Sequence, residues 1–122
     1  MKDDSALRTQ SVDDHVPEQL LAFALEALLT RETGWVNLVP ALARRFPHAE
    51  AVDIAIALTS AAAEIEHSFV PSSPSMDAAR HGYKLAAVLM LEMHAQRLQG
   101  RPVRMAGDLL EMWHERPFLD LG

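Results

Sequence analysis

Along most of this chain, apolar residues recur at the three- and four-residue intervals that are typical of α-helices. The first periodic segment, 17–31, begins with Pro17 and Glu18, residue types that suit the first turn of a helix. Further periodic segments predict four more helices, at 38–46, 49–69, 74–99 and 105–115. Since no segment alternates apolar and polar residues over five or more positions, we expect no strand.

Residues that typically cap or end helices indicate where these helices begin and end. Asn37 is the expected N-cap of the second helix, and Ser73, in the loop at 71–75, is the expected N-cap of the fourth. Gly100 follows the fourth helix as an expected C-terminal stop, and 101–104 forms a linker to the fifth. The sequence therefore predicts an all-α fold, a single-domain helical bundle of four to five helices.

The length of 122 residues is enough for one domain and too small for two ordinary ones. Residues 1–15 lack helical periodicity and carry four aspartates, so we expect a mobile acidic N-terminal tail followed by a helical domain over 16–122. Hydrophobic residues make up 49% of the chain and charged residues 23%. This balance is that of a globular protein and excludes wholesale disorder.

The chain contains no cysteine, which excludes disulfides and cysteine-ligated metal centres. Its longest nearly apolar run, 20–29, is interrupted by Glu26 and is too short to cross a bilayer of about 30 Å. The acidic N-terminus also lacks the basic segment with which a signal peptide begins. We therefore expect a cytoplasmic protein that does not enter a membrane.

The third and fourth helices are apolar around most of their circumference. The third has one face with Ile54, Leu58, Ala61, Ile65 and Phe69 and a second, roughly opposite, with Val52, Ile56, Thr59 and Ala63. The fourth has one arc with Leu85, Ala86, Leu89 and Met93 and the next with Tyr83, Ala87, Met90, Leu91, His94 and Leu98. A surface helix normally buries a single apolar stripe. Because five helices cannot easily bury two such helices on all sides, we expect an exposed apolar patch, as at interfaces.

These apolar faces predict a non-enzymatic helical protein-interaction module that self-associates or binds a partner helix. An isologous homodimer is the commonest form of self-association. The residues expected at the interface are Tyr83, Met90, His94 and Leu98. No cofactor is expected. Alanines at 55, 57 and 61–63 would let another helix approach closely, although alanine is also the best helix former.

A DNA-binding regulator is one alternative. The helices at 38–46 and 49–69 are separated by a short joint, as in a helix–turn–helix, and Arg44 and Arg45 could contact phosphates. The second of these helices, however, contains no Arg, Lys, Asn or Gln that could read bases. The net charge of −6 also argues against a broad phosphate-binding surface, so nucleic acid is not the favoured partner.

A di-metal carboxylate bundle is the second alternative. Glu-x-x-His occurs twice, and glutamates lie on two other helices, giving the set Glu64, His67, Glu111 and His114 with Glu26 and Glu92. In ligand order alone this set resembles the ferritin-like di-iron bundles, which implies metal ligands at Glu64, His67, Glu111 and His114. Such ligands must all face the interior. Since Glu26 lies opposite the leucine stripe of its helix and Glu92 on a polar strip, we favour solvated faces and no metal.

Overall fold

The computed structural model describes residues 18–30 and 37–114 and confirms the predicted all-α helical bundle. Its elements are α1 at 18–30, α2 at Leu38–Arg45, α3 at Ala51–Ser68, α4 at Ser75–Leu98 and α5 at Leu109–His114, with a 3-10 turn at Ala106–Asp108 before α5. The described residues form no strand, and Glu50 and Met105 make one isolated antiparallel bridge. The tail predicted at 1–15 lies outside the described residues.

Two predicted helices are shorter than expected. The third helix begins at Ala51 rather than at residue 49, because Glu50 has an extended backbone and pairs with Met105. The fifth begins with the 3-10 turn, in which the Asp108 carboxylate accepts a hydrogen bond of 3.2 Å from the Met105 N–H. A side chain of this kind stabilises a helix start by pairing a backbone donor that the helix leaves free.

The segment predicted as a linker, 101–104, is tied to the joint between α2 and α3 by backbone hydrogen bonds. The Ala51 N–H donates to the Arg104 carbonyl at 2.8 Å, and the Ala106 N–H donates to the Ala49 carbonyl at 2.8 Å. The Gly107 N–H donates to the Pro47 carbonyl at 3.1 Å. These bonds fix the approach to α5 against the start of α3.

Both ends of α4 lie within one residue of the prediction, since the helix runs from Ser75 to Leu98. The N-cap residue is Pro74 rather than the predicted Ser73, and the Ser73 hydroxyl oxygen accepts a hydrogen bond of 3.2 Å from the Ser75 N–H. At the other end Gly100 has a φ of 78°, and its N–H donates to the Arg97 carbonyl at 3.0 Å. The Arg101 N–H donates to the Gln96 carbonyl at 2.9 Å. This pair of bonds is the Schellman motif, in which glycine supplies the left-handed residue. At α2, by contrast, Asn37 makes no side-chain cap hydrogen bond.

All five helices contribute to one core, and α1, α3 and α4 cross within it. Its largest completely buried side chains include Leu20, Leu28, Ile54, Leu58, Ile65, Leu85 and Leu89. At the crossing, a Cβ placed on Gly82 of α4 would lie 3.0 Å from the Ala62 Cβ and 3.0 Å from the Leu28 Cδ1. Ala62 thus allows the close approach of α4 of the same chain. The alanines at 55, 57 and 61 are also buried, whereas Ala63 is exposed.

Candidate interaction surface

The side of α4 that faces away from the core carries a strip of exposed residues at alternating intervals of three and four. Its members are Lys84, Ala87, Leu91, His94 and Leu98, which we call the outer α4 strip. Leu91 is 68% exposed and Leu98 is 74% exposed. At 1.5 Å per residue the strip is about 21 Å long. Alternating intervals of three and four are those with which one helix packs along another in a coiled coil.

The four residues predicted at an interface lie on or beside this strip. His94 and Leu98 belong to it, and Met90, which is 45% exposed, flanks it. Tyr83 is half-buried at the edge nearest α3. Their place on the solvent-facing side of α4 is observed, while their role in an interface stays a prediction.

Tyr83 links α4 to α3. Its hydroxyl group donates a hydrogen bond of 2.8 Å to the Glu66 Oε1 atom. This hydrogen bond raises the pKa of Tyr83 above its ordinary value of 10.0, and burial and the negative charge of Glu66 raise it further. The bond holds the Tyr83 ring beside the outer α4 strip.

The position expected for Glu92 is wrong. The sequence places this residue on a solvated polar strip, whereas in the structure it is only 7% exposed. The reason is its spacing, because Glu92 follows Leu85 by seven residues and Leu89 by three and therefore shares their buried face. The outer α4 strip lies on the opposite side of the helix.

The second apolar face of α3 is also exposed. Val52, Ile56, Thr59 and Ala63 all face solvent, and Ile56 is 55% exposed. We call this set the outer α3 strip. The sequence therefore located both exposed apolar faces of the long helices.

The two strips differ in charge. The outer α4 strip contains Lys84, and α4 exposes two further basic residues, Arg80 and Arg97, of which Arg80 is ion-paired to Asp77 one turn earlier. α3, in contrast, contains no lysine or arginine. The exposed surface of α4 thus carries basic residues, and that of α3 carries none.

A shallow depression adjoins the C-terminal half of the outer α4 strip. It has a volume of about 200 Å³ and is lined by Met90, Met93, His94, Arg97, Pro102 and Val103. The docked segment 101–104 thus supplies one wall of it. Flexible methionine side chains at such a place can adapt to the surface that packs on them.

The described residues do not bring the suggested metal ligands together. Glu64 and His67 are exposed on α3, and Glu111 is exposed on α5. The side chain of His114 lies outside the described part of the chain. Within the described ranges, no group of three His, Cys, Asp or Glu side chains is placed to hold a metal ion.

The helices of the suggested DNA-binding pair have different surroundings. Arg44 and Arg45 are exposed at the end of α2, and the Arg45 guanidinium lies 5.7 Å from the centre of the Phe46 ring. α3, which would have to read bases, packs one side against α4 and turns Val52, Ile56 and Glu64 to solvent. Apolar and acidic side chains do not read base edges in the pattern expected of a recognition helix. DNA binding stays a prediction that no observation favours.

Comparison with known proteins finds no matching family model, no similar curated protein and no similar solved structure. In the part of the chain that the structure describes, no helix has both the length and the apolar character needed to cross a membrane. The expected cytoplasmic location stays a prediction.

Proposed function

We propose that this protein is a helical self-association module that forms an isologous homodimer through the outer α4 strip. The observation that supports this proposal most directly is the exposure of Leu91 and Leu98 at coiled-coil spacing on a helix whose opposite face is buried. A second copy of α4 offers the same strip and so can cover both leucines on each chain.

An antiparallel arrangement suits the strip better than a parallel one. Parallel pairing in register would place Lys84 against the partner's Lys84 and His94 against the partner's His94. A two-fold axis near residues 92 and 93 instead places Leu98 beside the partner's Ala87 and Leu91 beside the partner's His94. Each leucine then faces a different side chain rather than its own copy, and the two Lys84 residues lie at opposite ends of the interface.

Sedimentation velocity over a range of micromolar concentrations tests this function. The wild-type chain is expected to show a dimer that dissociates on dilution. Leu91→Asp and Leu98→Asp each place a carboxylate in the interface, and each is expected to raise the dimer dissociation constant at least about tenfold, since burying one leucine contributes about 1.5–3 kcal/mol.

Ile56→Asp is the matched control, because it introduces the same charge at an exposed apolar position of α3. It should leave the dimer unchanged. Circular dichroism checks that all three variants keep their helicity. A wild-type chain that sediments as a monomer at every concentration contradicts the proposal, as does equal weakening by Ile56→Asp.

A further inference from the structure

We propose that the groove between α1 and α3 is a second docking site, which takes a helical segment of another protein with an apolar anchor flanked by lysine or arginine. The groove is lined by residues of α1 and α3 only and includes no residue of the outer α4 strip. It does not depend on the proposed dimer.

The groove has an apolar floor and a polar rim. The residues that line it are Leu21, Ile56 and Ala57 with Glu18, Asp53 and Ser60. Its volume of about 210 Å³ is below the range of about 300–1,000 Å³ that is typical of small-molecule sites. A recess of this size suits one or two side chains of a peptide. Ile56, which lines it, also belongs to the outer α3 strip. The geometry therefore favours a peptide anchor that lies along α3.

Charge determines which peptide suits the groove. The carboxylates of Glu18 and Asp53 border it, and neither α1 as described nor α3 contains a lysine or arginine. Glu26 on α1 and Glu64 on α3 add further exposed carboxylates to the two helices. Acidic surroundings repel an acidic ligand and accelerate the approach of a basic one. A helical segment with leucine or methionine at helical spacing can bury these side chains against the apolar floor. Basic residues beside them can pair with the carboxylates of the rim.

The outer α4 strip of a further copy has similar chemistry, since Lys84 and Arg97 accompany its leucines. If the outer α4 strip of one copy docked in the groove of another, the contact would join two different surfaces. Such a contact repeats from copy to copy and forms a chain, unless the rotation between successive copies closes a ring. That arrangement predicts growth beyond a dimer as concentration rises. We therefore assign the groove to a different protein, and the experiment separates the two occupants.

Fluorescence anisotropy with the full chain and two labelled synthetic peptides tests the site. One peptide is a 15-residue amphipathic helix of leucine and lysine, and the other has glutamate in place of every lysine. We expect the lysine peptide to bind and the glutamate peptide not to bind. Failure of the lysine peptide to bind would overturn the proposal.

Two matched pairs of charge variants distinguish peptide binding in the groove from general attraction of a basic peptide to an acidic protein. Glu18→Gln combined with Asp53→Asn removes two carboxylates at the groove, and Glu66→Gln combined with Glu111→Gln removes two exposed carboxylates that do not line it. The first pair is expected to weaken binding of the lysine peptide about fivefold or more, and the second less than twofold. Equal weakening by both pairs would show non-specific attraction and overturn the site.

Matched apolar variants test the floor of the groove and its independence from the dimer. Ile56→Ser should weaken peptide binding, while Leu91→Ser should leave it unchanged. Peptide binding that is lost in Leu91→Ser and kept in Ile56→Ser would place the site on α4 and contradict the proposal. If the wild type grows beyond a dimer and Ile56→Ser abolishes that growth, the occupant is a second copy, which also overturns it.

Discussion

The hydroxyl group of Tyr83 on α4 donates a hydrogen bond of 2.8 Å to the carboxylate of Glu66 on α3. This bond joins the two long helices at the edge of the outer α4 strip. It favours the neutral, protonated form of the tyrosine and so raises its pKa above 10.0.

Tyr83 is the sole tyrosine of the chain, so alkaline titration of tyrosinate absorbance near 295 nm reports on it alone. We expect a midpoint above 10, and a lower midpoint in Glu66→Gln, which removes the negative charge. Because the pKa is raised on folding, the associated stability is present below about pH 10 and is lost as pH rises through the folded-state value. An unchanged midpoint in Glu66→Gln would contradict the role of this bond.

Gly82→Ala is expected to destabilise the fold, although alanine is the better helix former. Replacing a mid-helix glycine by alanine gains about 0.5–1 kcal/mol in helix propensity. The added methyl group, however, would lie 3.0 Å from the Ala62 Cβ and 3.3 Å from the Leu58 carbonyl oxygen, so α3 and α4 must separate. Overpacking of this kind costs about 1–3 kcal/mol, and we expect a net loss of about 1 kcal/mol in urea unfolding.

Gly107→Ala is the control for Gly82, because its new Cβ would meet the Pro47 carbonyl oxygen at 3.4 Å, an ordinary contact distance. It should change the free energy of unfolding by less than about 0.5 kcal/mol. A Gly82→Ala variant as stable as the wild type or more stable would show that the helices are not in close contact there.

Gly100→Ala tests the C-terminal end of α4. Nothing lies within 4 Å of a Cβ built on Gly100, so the cost comes from its φ of 78° alone. We expect a loss of about 1 kcal/mol in the free energy of unfolding. Gly100→Asn should lose less, because asparagine adopts the left-handed conformation more readily than alanine. Equal losses in the two variants would point to a cause other than backbone conformation.

The sequence predicted the helices and their exposed faces because both follow from local periodicity. The interval that puts Leu85 and Leu89 in the core leaves Leu91 and Leu98 on the opposite side whatever packs around them. The same rule, applied one residue at a time, would have placed Glu92 in the core. Its charge led to the wrong assignment, because acidic residues are rarely buried.

The contacts between distant segments could not be predicted in this way. The hydrogen bonds that join 101–107 to 47–51 connect backbone groups, and backbone groups carry no residue-specific signal. The groove between α1 and α3 depends on which faces of the two helices meet. Periodicity shows which face of each helix is apolar, but not which other helix packs against that face. The hydrogen bond between Tyr83 and Glu66, which are 17 residues apart, could not be predicted for the same reason.

Disulfide crosslinking tests the proposed antiparallel dimer most directly, because the chain has no cysteine of its own. We prepare Ala87→Cys and Leu98→Cys separately, mix them at micromolar concentration and oxidise the mixture. We expect a covalent dimer that joins the two different variants and little dimer from either variant alone, because residue 98 faces residue 87 of the other copy. Efficient crosslinking of Leu98→Cys with itself would instead indicate parallel helices, and no crosslinking above that of an Ile56→Cys control mixture would contradict association through α4.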